Sequence, residues 1–506
     1  MADNTSANGN GIGYGVMLGR RNIYASVDAI TPENVVAEVN SALKFHFMNV
    51  SEMEYLYWYR RGLQPILQRT KERNSFVNNK IVENHAEEIV TFKNGFFLPE
   101  PAVFVARRTG AKSKVDKLNE YLYRSGKHIA DNQLVDWFHT VGKAALYIEP
   151  TPDEDVPAVA YALDPRSAFV VYSLRPGNAP LYAVNIVKDG DIAKIDVWTK
   201  ENVFRLVGGA EPVQATSYPV YEATAVSVVA VEENRIKHIP IIEYRYNSIN
   251  TAAFEQVTWL LDAINTIQSN RVDGIEQFIQ SIAVAVNCQF EDDVTANKIR
   301  EAGMIALKSV GENKADFKIL SEELNQEQTQ KLVDDLYDQA LRICSMPTTT
   351  KGGKSTSDTG VATIYRDGWE QAAGAARNTE DLFKESDKLF EEIFCDILRT
   401  KNLLDVKPMI DFELHFVRNE TANVQSKAQA LNTMLASGIH PILALSKSGI
   451  SSDPVGDYTM SEKYIRMIWG DPDKADKVEE QTTGQGEAKI IEQDNNNGEN
   501  ATGGDV

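Results

Sequence analysis

The spacing of apolar residues along this chain changes character several times. Residues 1–30 are polar and rich in Gly and Asn, and read as a mobile arm. From Thr31 the period becomes helical. Thr31 can cap, Pro32 suits a first helical position, and Val35, Val36, Val39 and Leu43 follow. A second helix is expected in "NNKIVENHAEEIVTF", with Ile81, Val82, Ala86, Ile89 and Val90 on one side, and a third in "VDKLNEYLYRSG". The period then falls to two. "AALYIEP", "AVAYALDP", "AFVVYS", "LYAVNIV", "AKIDVWT", "NVFRLVGG" and "AVSVVAV" are strand candidates, and Asp189-Gly190 is a hairpin signal between two of them. A β-rich block over residues 143–245 is expected, framed by helices.

The period returns to helical at Thr251. Phe254, Val257, Leu261 and Ile264 make one stripe and Ile275, Phe278, Ile279 and Ile282 continue it, so one long helix is expected over Thr251–Ile282. A small module over 283–325 follows, with strand candidates "AVAVNCQF" and "IALKSV". Leu332, Leu336, Ala340 and Ile343 then mark a returning helix over 328–344. Beyond a polar loop, another long helix is expected from Val361 to Thr400, with Gly368 and Gly374 as points of bending. A strand candidate, Asp411 to Val417, precedes helical segments "NVQSKAQALNTMLASG" and "PILALSKSG". Residues 471–506 carry ten acids and three lysines with few large apolar residues, the composition of a disordered acidic tail. The fold class is α+β, and a long helix hairpin of this kind calls for neighbours to cover its faces.

Composition narrows the function. The net charge of -20 argues against a broad basic face that grips nucleic acid, yet not against a protein past which DNA slides. Cys288, Cys344 and Cys395 are isolated, without metal or redox spacing, and read as small buried hydrophobes in a reducing compartment. The N-terminus lacks the basic and apolar regions of a signal peptide, and no apolar run approaches the roughly 20 residues of a membrane span.

Candidate chemistry centres on "MPTTTKGGKSTSDTG", Met346 to Gly360. Gly353-Lys354-Ser355 is the second half of a phosphate-binding loop. The first half is missing, because Thr348 stands where glycine is needed, and a helix rather than a strand precedes it. A nucleotide hydrolase using Lys354 is therefore the weaker reading, and a flexible polar loop the stronger one. The seven histidines form no zinc pair; His85 beside Glu87 and Glu88 comes nearest and reads as structural. There is no nucleophile elbow and no dinucleotide fingerprint. Trp259 and Trp369 read as packing or subunit contacts. No catalytic residue, metal or cofactor is expected.

The segment Tyr57 to Leu98 resembles the N-terminal signature of bacteriophage portal proteins. It carries Gly62, Gln64 and Ile66, then Asn78, Asn79, Lys80 and Ile81, then Ile89 and Val90. "HIPIIEYRYNS" followed by "LLDAINTIQSN" looks like the same family's approach to its stem helix, with Pro240, Asp262, Asn265 and Ser269 at matching places. "SDTGVATIYRDGWEQAA" is similar to the segment after the portal channel loop, though Thr359 replaces a serine. The likeness is diffuse but ordered, from near residue 55 to near residue 465.

The resemblance implies a ring, dodecameric in the virion, at one capsid vertex, through which double-stranded DNA is packaged and ejected. It implies an arm over 1–30, a wing over 31–245, a stem helix over 246–282, a clip over 283–325 and a returning stem helix over 326–345. The tunnel loop would follow over 346–361, a long helix and wing strand over 362–418, a crown over 419–470 and the tail over 471–506. Lys351 and Lys354, with Thr348, Thr349, Thr350, Ser355 and Thr356, would face DNA in the channel. Implied partners are further copies of the chain, DNA, the terminase large subunit, a head-to-tail adaptor, and major capsid and scaffolding proteins, with no membrane. Implied locations are the virion and, during assembly, the host cytoplasm. An acidic adaptor ring without a DNA channel is the alternative.

Overall fold

The computed structural model describes residues 19–71, 77–213, 220–279, 283–286, 288–289, 308–309, 316–319, 326–348, 368–416, 424–451 and 454–469. Its contacts separate two units, Met1–Thr421 and Ala422–Val506. The first begins with β1 (Ile23–Ala25), α1 (Val35–Arg60), α2 (His85–Phe97), β2 (Val103–Ala106), α3 (Lys112–Arg124) and α4 (Lys127–Val141). Eight strands follow: β3 (Lys143–Pro150), β4 (Ala158–Leu163), β5 (Ala168–Ser173), β6 (Pro180–Asp189), β7 (Ile192–Trp198), β8 (Asn202–Val213), β9 (Val220–Glu233) and β10 (Ile241–Arg245). Then come α5 (Thr258–Ile279), the short strands β11 (Ala283–Val286), β12 (Cys288–Gln289), β13 (Lys308–Ser309) and β14 (Asp316–Ile319), and α6 (Gln326–Ile343). The long α7 (Trp369–Thr400) and β15 (Phe412–His415) complete the unit.

All seven strand candidates of the alternating block form as β3 to β9. They divide between two sheets, which the period alone did not indicate. One runs β1-β5-β6-β7-β8-β9 and the other β10-β3-β4. The Asp189-Gly190 turn joins β6 to β7, with Asp189 opposite Ile192 and Gly190 at φ 64°. Strand β9 is an edge. Its register against β8 shifts twice, leaving Val226 and Val229 without partners. These residues are strongly exposed. The Asn40 amide closes the edge at Ala225, donating to its carbonyl and accepting from its N–H, both at 2.8 Å. Bulges and a covering side chain both blunt an edge that would otherwise template another strand.

Four apolar clusters hold the unit. Val35, Val39, Ala42 and Leu43 of α1 pack on the meander through Phe169, Val184 and Ile195. Ala145, Ala168, Trp198 and Ile241 fill the space between the sheets. Helices α3, α4 and α7 share a core with β3 and β10, including Leu118, Phe138, Leu146, Tyr244, Phe383 and Phe394. The C-terminal half of α1 meets α2, α5 and α6 through Leu56, Tyr59, Ile89, Leu261 and Leu341.

Several expectations are corrected. The arm expected over 1–30 does not extend past Gly19. Ile23 is buried in strand β1, and Arg20 is buried with its guanidinium on Glu255 at 2.6 Å, Glu52 at 3.0 Å and the Val141 carbonyl at 3.1 Å. Residues 1–18 lie outside the described residues. Helix α1 starts at Val35; Thr31 and Pro32 sit in a turn before it, with Val35 N–H donating to Thr31 O at 3.0 Å. Helix α4 was not anticipated. It starts at Gly126 and stops at Gly142, both with positive φ and neither giving the side-chain cap that marks a helix start in a sequence. The long helix expected from Thr251 begins at Thr258. Glu255 folds its carboxylate back onto Ala252 N–H at 2.7 Å, which holds residues 252–257 in a tight turn.

A buried ionic cluster ties α7 to α4 and β10. The Lys127 ammonium bonds Asp131 and lies 3.0 Å from Asp387, and Tyr244 donates to Asp387 at 2.7 Å. Glu391, one turn along α7, is also buried. Asp387 Oδ2 and Glu391 Oε2 find no hydrogen-bond partner among the described residues. Burial and the neighbouring Asp387 carboxylate push Glu391 up to about 8.

The second unit contains α8 (Val424–Ala436), α9 (Pro441–Ser448) and α10 (Pro454–Trp469). The first two match the helical segments expected there, and α10 was not named. Gly438 at φ 80° ends α8, and Lys427 reaches the Gly449 carbonyl at 2.9 Å to bind α8 to the end of α9. No described helix is long and apolar enough to cross a membrane. Residues 471–506, expected as a tail, lie outside the described residues.

Candidate functional site

The polar segment between α6 and α7 is flanked by two feet, and both are built from local chain chemistry. Helix α6 ends in a double reversal: Ser345 N–H donates to Arg342 O at 3.0 Å and Met346 N–H to Leu341 O at 2.8 Å. Ser345 takes φ 52°, the left-handed position of this motif, and apolar Met346 packs beside Leu341 in the core. Pro347 follows and cannot continue a helix. The other foot is Gly368, at φ 84°, which starts α7 by accepting from Ala372 N–H at 3.1 Å. Gly368 thus starts the helix rather than bending it. A Cβ placed on Gly368 would lie 3.8 Å from both Met346 O and Pro347 Cα, so the feet stand side by side. The chain leaves and returns at one point.

Of the candidate channel residues, Thr348 is described and is half-buried at the first foot. Thr349, Thr350, Lys351, Lys354, Ser355 and Thr356 lie outside the described residues.

Helix α2 touches both feet. Phe92 and Phe96, stacked at 5.5 Å, each lie 6.0 Å from Trp369, the first residue of α7. Between them Lys93 points to the other foot, its Nζ 3.5 Å from Ser345 O. Lys93 is only 7% exposed. It falls on the buried stripe Ala86, Ile89, Val90, Phe97, where the helical period asks for an apolar residue. Burial pulls it down to about 8. The nearby Cys344 thiol is pushed up to about 12 by burial, and burial also holds His139 on α4 well below the usual imidazole range. His139 donates through Nδ1 to Asn94 at 2.7 Å, and Asn94 donates to Asp136 at 2.7 Å. Trp369 is thus a packing residue. The sequence did flag its helix, but it gave no sign that α2 was the partner.

Ahead of α2 the chain is extended, not helical as the period of Ile81 and Val82 suggested. Three backbone N–H groups reach three side chains of α5 in turn. Asn79 donates to Asp273 at 2.7 Å, Ile81 to Ser269 at 2.9 Å and Glu83 to Asn265 at 2.8 Å. The strap advances by two residues while the helix recedes by four. Two extended residues rise about 6.6 Å and four helical residues about 6 Å, so the two repeats stay in step. Asn265, Ser269 and Asp273 are buried, and each accepts from one N–H of this strap. Asn265 also donates to Gln64, which bonds Asn84 at 3.0 Å and the Tyr59 carbonyl at 3.2 Å. Tyr59 donates to Asp262 at 2.9 Å. Burial alone would raise the Asp273 carboxyl, but bonds from Lys71 and Asn79 outweigh it and hold it below the usual range.

Six of the residues that carried the resemblance, Gln64, Asn79, Ile81, Asp262, Asn265 and Ser269, are brought together here across about 200 positions of sequence. Helix α6 lies along α5, with Arg271 donating to Gln330 at 2.5 Å. His85 lies 4.5 Å from the Tyr337 ring, the planes tilted by 37°, and bonds Glu88 at 2.8 Å, a structural histidine as expected. At the far end, β11 pairs with β14 and β12 with β13, both antiparallel.

No curated protein sequence matches the chain. The family described as phage portal protein, SPP1 Gp6-like, matches residues 43–446, a span that takes in the strap, α5, α6, the loop and α7. The chain therefore belongs to the SPP1 Gp6-like family of phage portal proteins.

Proposed function

We propose that copies of this chain close into a dodecameric ring around a channel for double-stranded DNA, with the loop between α6 and α7 projecting into it. The portal function and the DNA channel come with the family. The observation that carries the finer reading is the side-by-side placement of Met346 and Gly368, so that the chain departs and re-enters at one base. On this reading residues 31–245 are the wing, α5 and α6 the stem, 283–325 the clip that docks the terminase and later the head-to-tail adaptor, and 419–470 the crown. Energy for packaging then comes from a separate terminase, and the chain itself is structural.

Lys351 and Lys354 repeated around a ring would give a cationic collar in a protein of net charge -20. Each phosphate contact of this kind is weak and salt-sensitive, which suits sliding. Thr348, Thr349, Thr350, Ser355 and Thr356 can donate hydrogen bonds without adding charge. Replacing both lysines by Ala is expected to leave ring assembly normal and to impair DNA packaging. Full-length genome packaged at wild-type yield by the double variant would remove the charge from the account.

A further inference from the structure

Helix α2 lies outside the loop and touches both of its feet. Lys93 faces the α6 foot at Ser345, and Phe92 and Phe96 face the α7 foot at Trp369. The same helix is joined directly to the strap, whose N–H groups at Asn79, Ile81 and Glu83 are fixed on α5. We propose that the strap and α2 form a positioning element, with Lys93, Phe92 and Phe96 as positioning residues that set where the loop leaves the stem. The inference rests on the loop reading given above and adds the part that aims the loop.

The Lys93 contact has an unusual counter-charge. Among the described residues no carboxylate lies within 4.0 Å of its ammonium. What it meets is the carbonyl end of α6, where the helix dipole places partial negative charge. A buried cation without a carboxylate is expensive, so the carbonyl end and the cation favour one geometry. The titratable groups facing Lys93 are Cys344 on α6 and His139 on α4. The thiol, at about 12, and the imidazole, held well below its usual range, both stay neutral near pH 8. Lys93, at about 8, is the member of this group whose charge changes there.

Hydrogen exchange of the assembled protein tests this without reference to DNA. Peptides covering 340–348 and 368–374 report the two feet. Lys93→Met, which removes both the charge and its bond to Ser345 O, is expected to abolish the pH dependence of exchange at 340–348, and Phe92→Ala with Phe96→Ala to speed exchange at 368–374 roughly fivefold. Wild-type protection at 340–348, corrected for intrinsic exchange, should rise between about pH 8 and about pH 10, because burial favours the neutral Lys93 amine in the closed state while the open state keeps its proton to higher pH. Lys93→Arg, which stays charged, should show no such rise. This conservative variant carries the test if the others fail to assemble. Equal pH profiles for Lys93→Arg and wild type, or unchanged foot exchange in the folded Met and Ala variants, would overturn the proposal. A normal packaging yield for the Lys351, Lys354 double variant would count against the channel role of the loop and leave this result standing.

Discussion

The backbone N–H of Ile81 donates to the hydroxyl of Ser269 at 2.9 Å, across 188 positions of sequence. Both residues are among those that carried the resemblance, and the bond joins them directly in the fold. The strap has no sheet partner, so its N–H groups must find acceptors elsewhere. Helix α5 supplies them at intervals of four.

Ser269→Ala should therefore cost about 1–2 kcal/mol, because it leaves a half-buried N–H unpaired. Asn265→Ala should cost more, since it also removes the bond to Gln64. Thermal unfolding of each variant checks this; melting temperatures unchanged from wild type would mean that the strap is not held by these bonds.

The two glycines of the long helix should respond in opposite directions. Gly368 has φ 84°, so Gly368→Ala should destabilise by about 1–2 kcal/mol even though 3.8 Å of clearance leaves room for the methyl. Gly374 lies inside α7 with nothing within 4 Å of an added Cβ. Gly374→Ala should stabilise by about 0.5–1 kcal/mol through helix propensity and a less flexible unfolded chain. Denaturant unfolding midpoints distinguish the pair; shifts of the same sign would contradict it.

Glu391 should give stability a pH dependence. Its carboxyl sits at about 8 in the fold, raised from an ordinary 4.5 by burial first and by Asp387 second. Below the unfolded value both states hold the proton and the full contribution is present. As pH rises toward 8 the unfolded chain releases the proton while the folded chain keeps it, so stability falls across that window and levels off above it. Glu391→Gln should flatten this part of the profile, measured as melting temperature between about pH 5 and about pH 8. A variant with the wild-type slope would show that another group is responsible.

The strands were legible in the sequence because their information is local. Each of β3 to β9 alternates within itself, and Asp189-Gly190 specifies its own turn. The strap was not, because Ile81 and Val82 extend the apolar period of α2 while their hydrogen-bond acceptors lie on a helix about 190 residues later. Helix α4 was overlooked for want of a capping side chain. At the loop, the polar composition was readable, and so was the closing α6 helix. The role of α2 was only hinted at by Lys93, a lysine on an apolar stripe.

Electron microscopy of the purified, assembled protein tests the central claim most directly. The account predicts closed rings with an open central channel, twelvefold in the virion, and density at the channel's narrowest point that connects to the junction of α6 and α7. Monomers at all concentrations, or rings in which that junction faces outward, would contradict it.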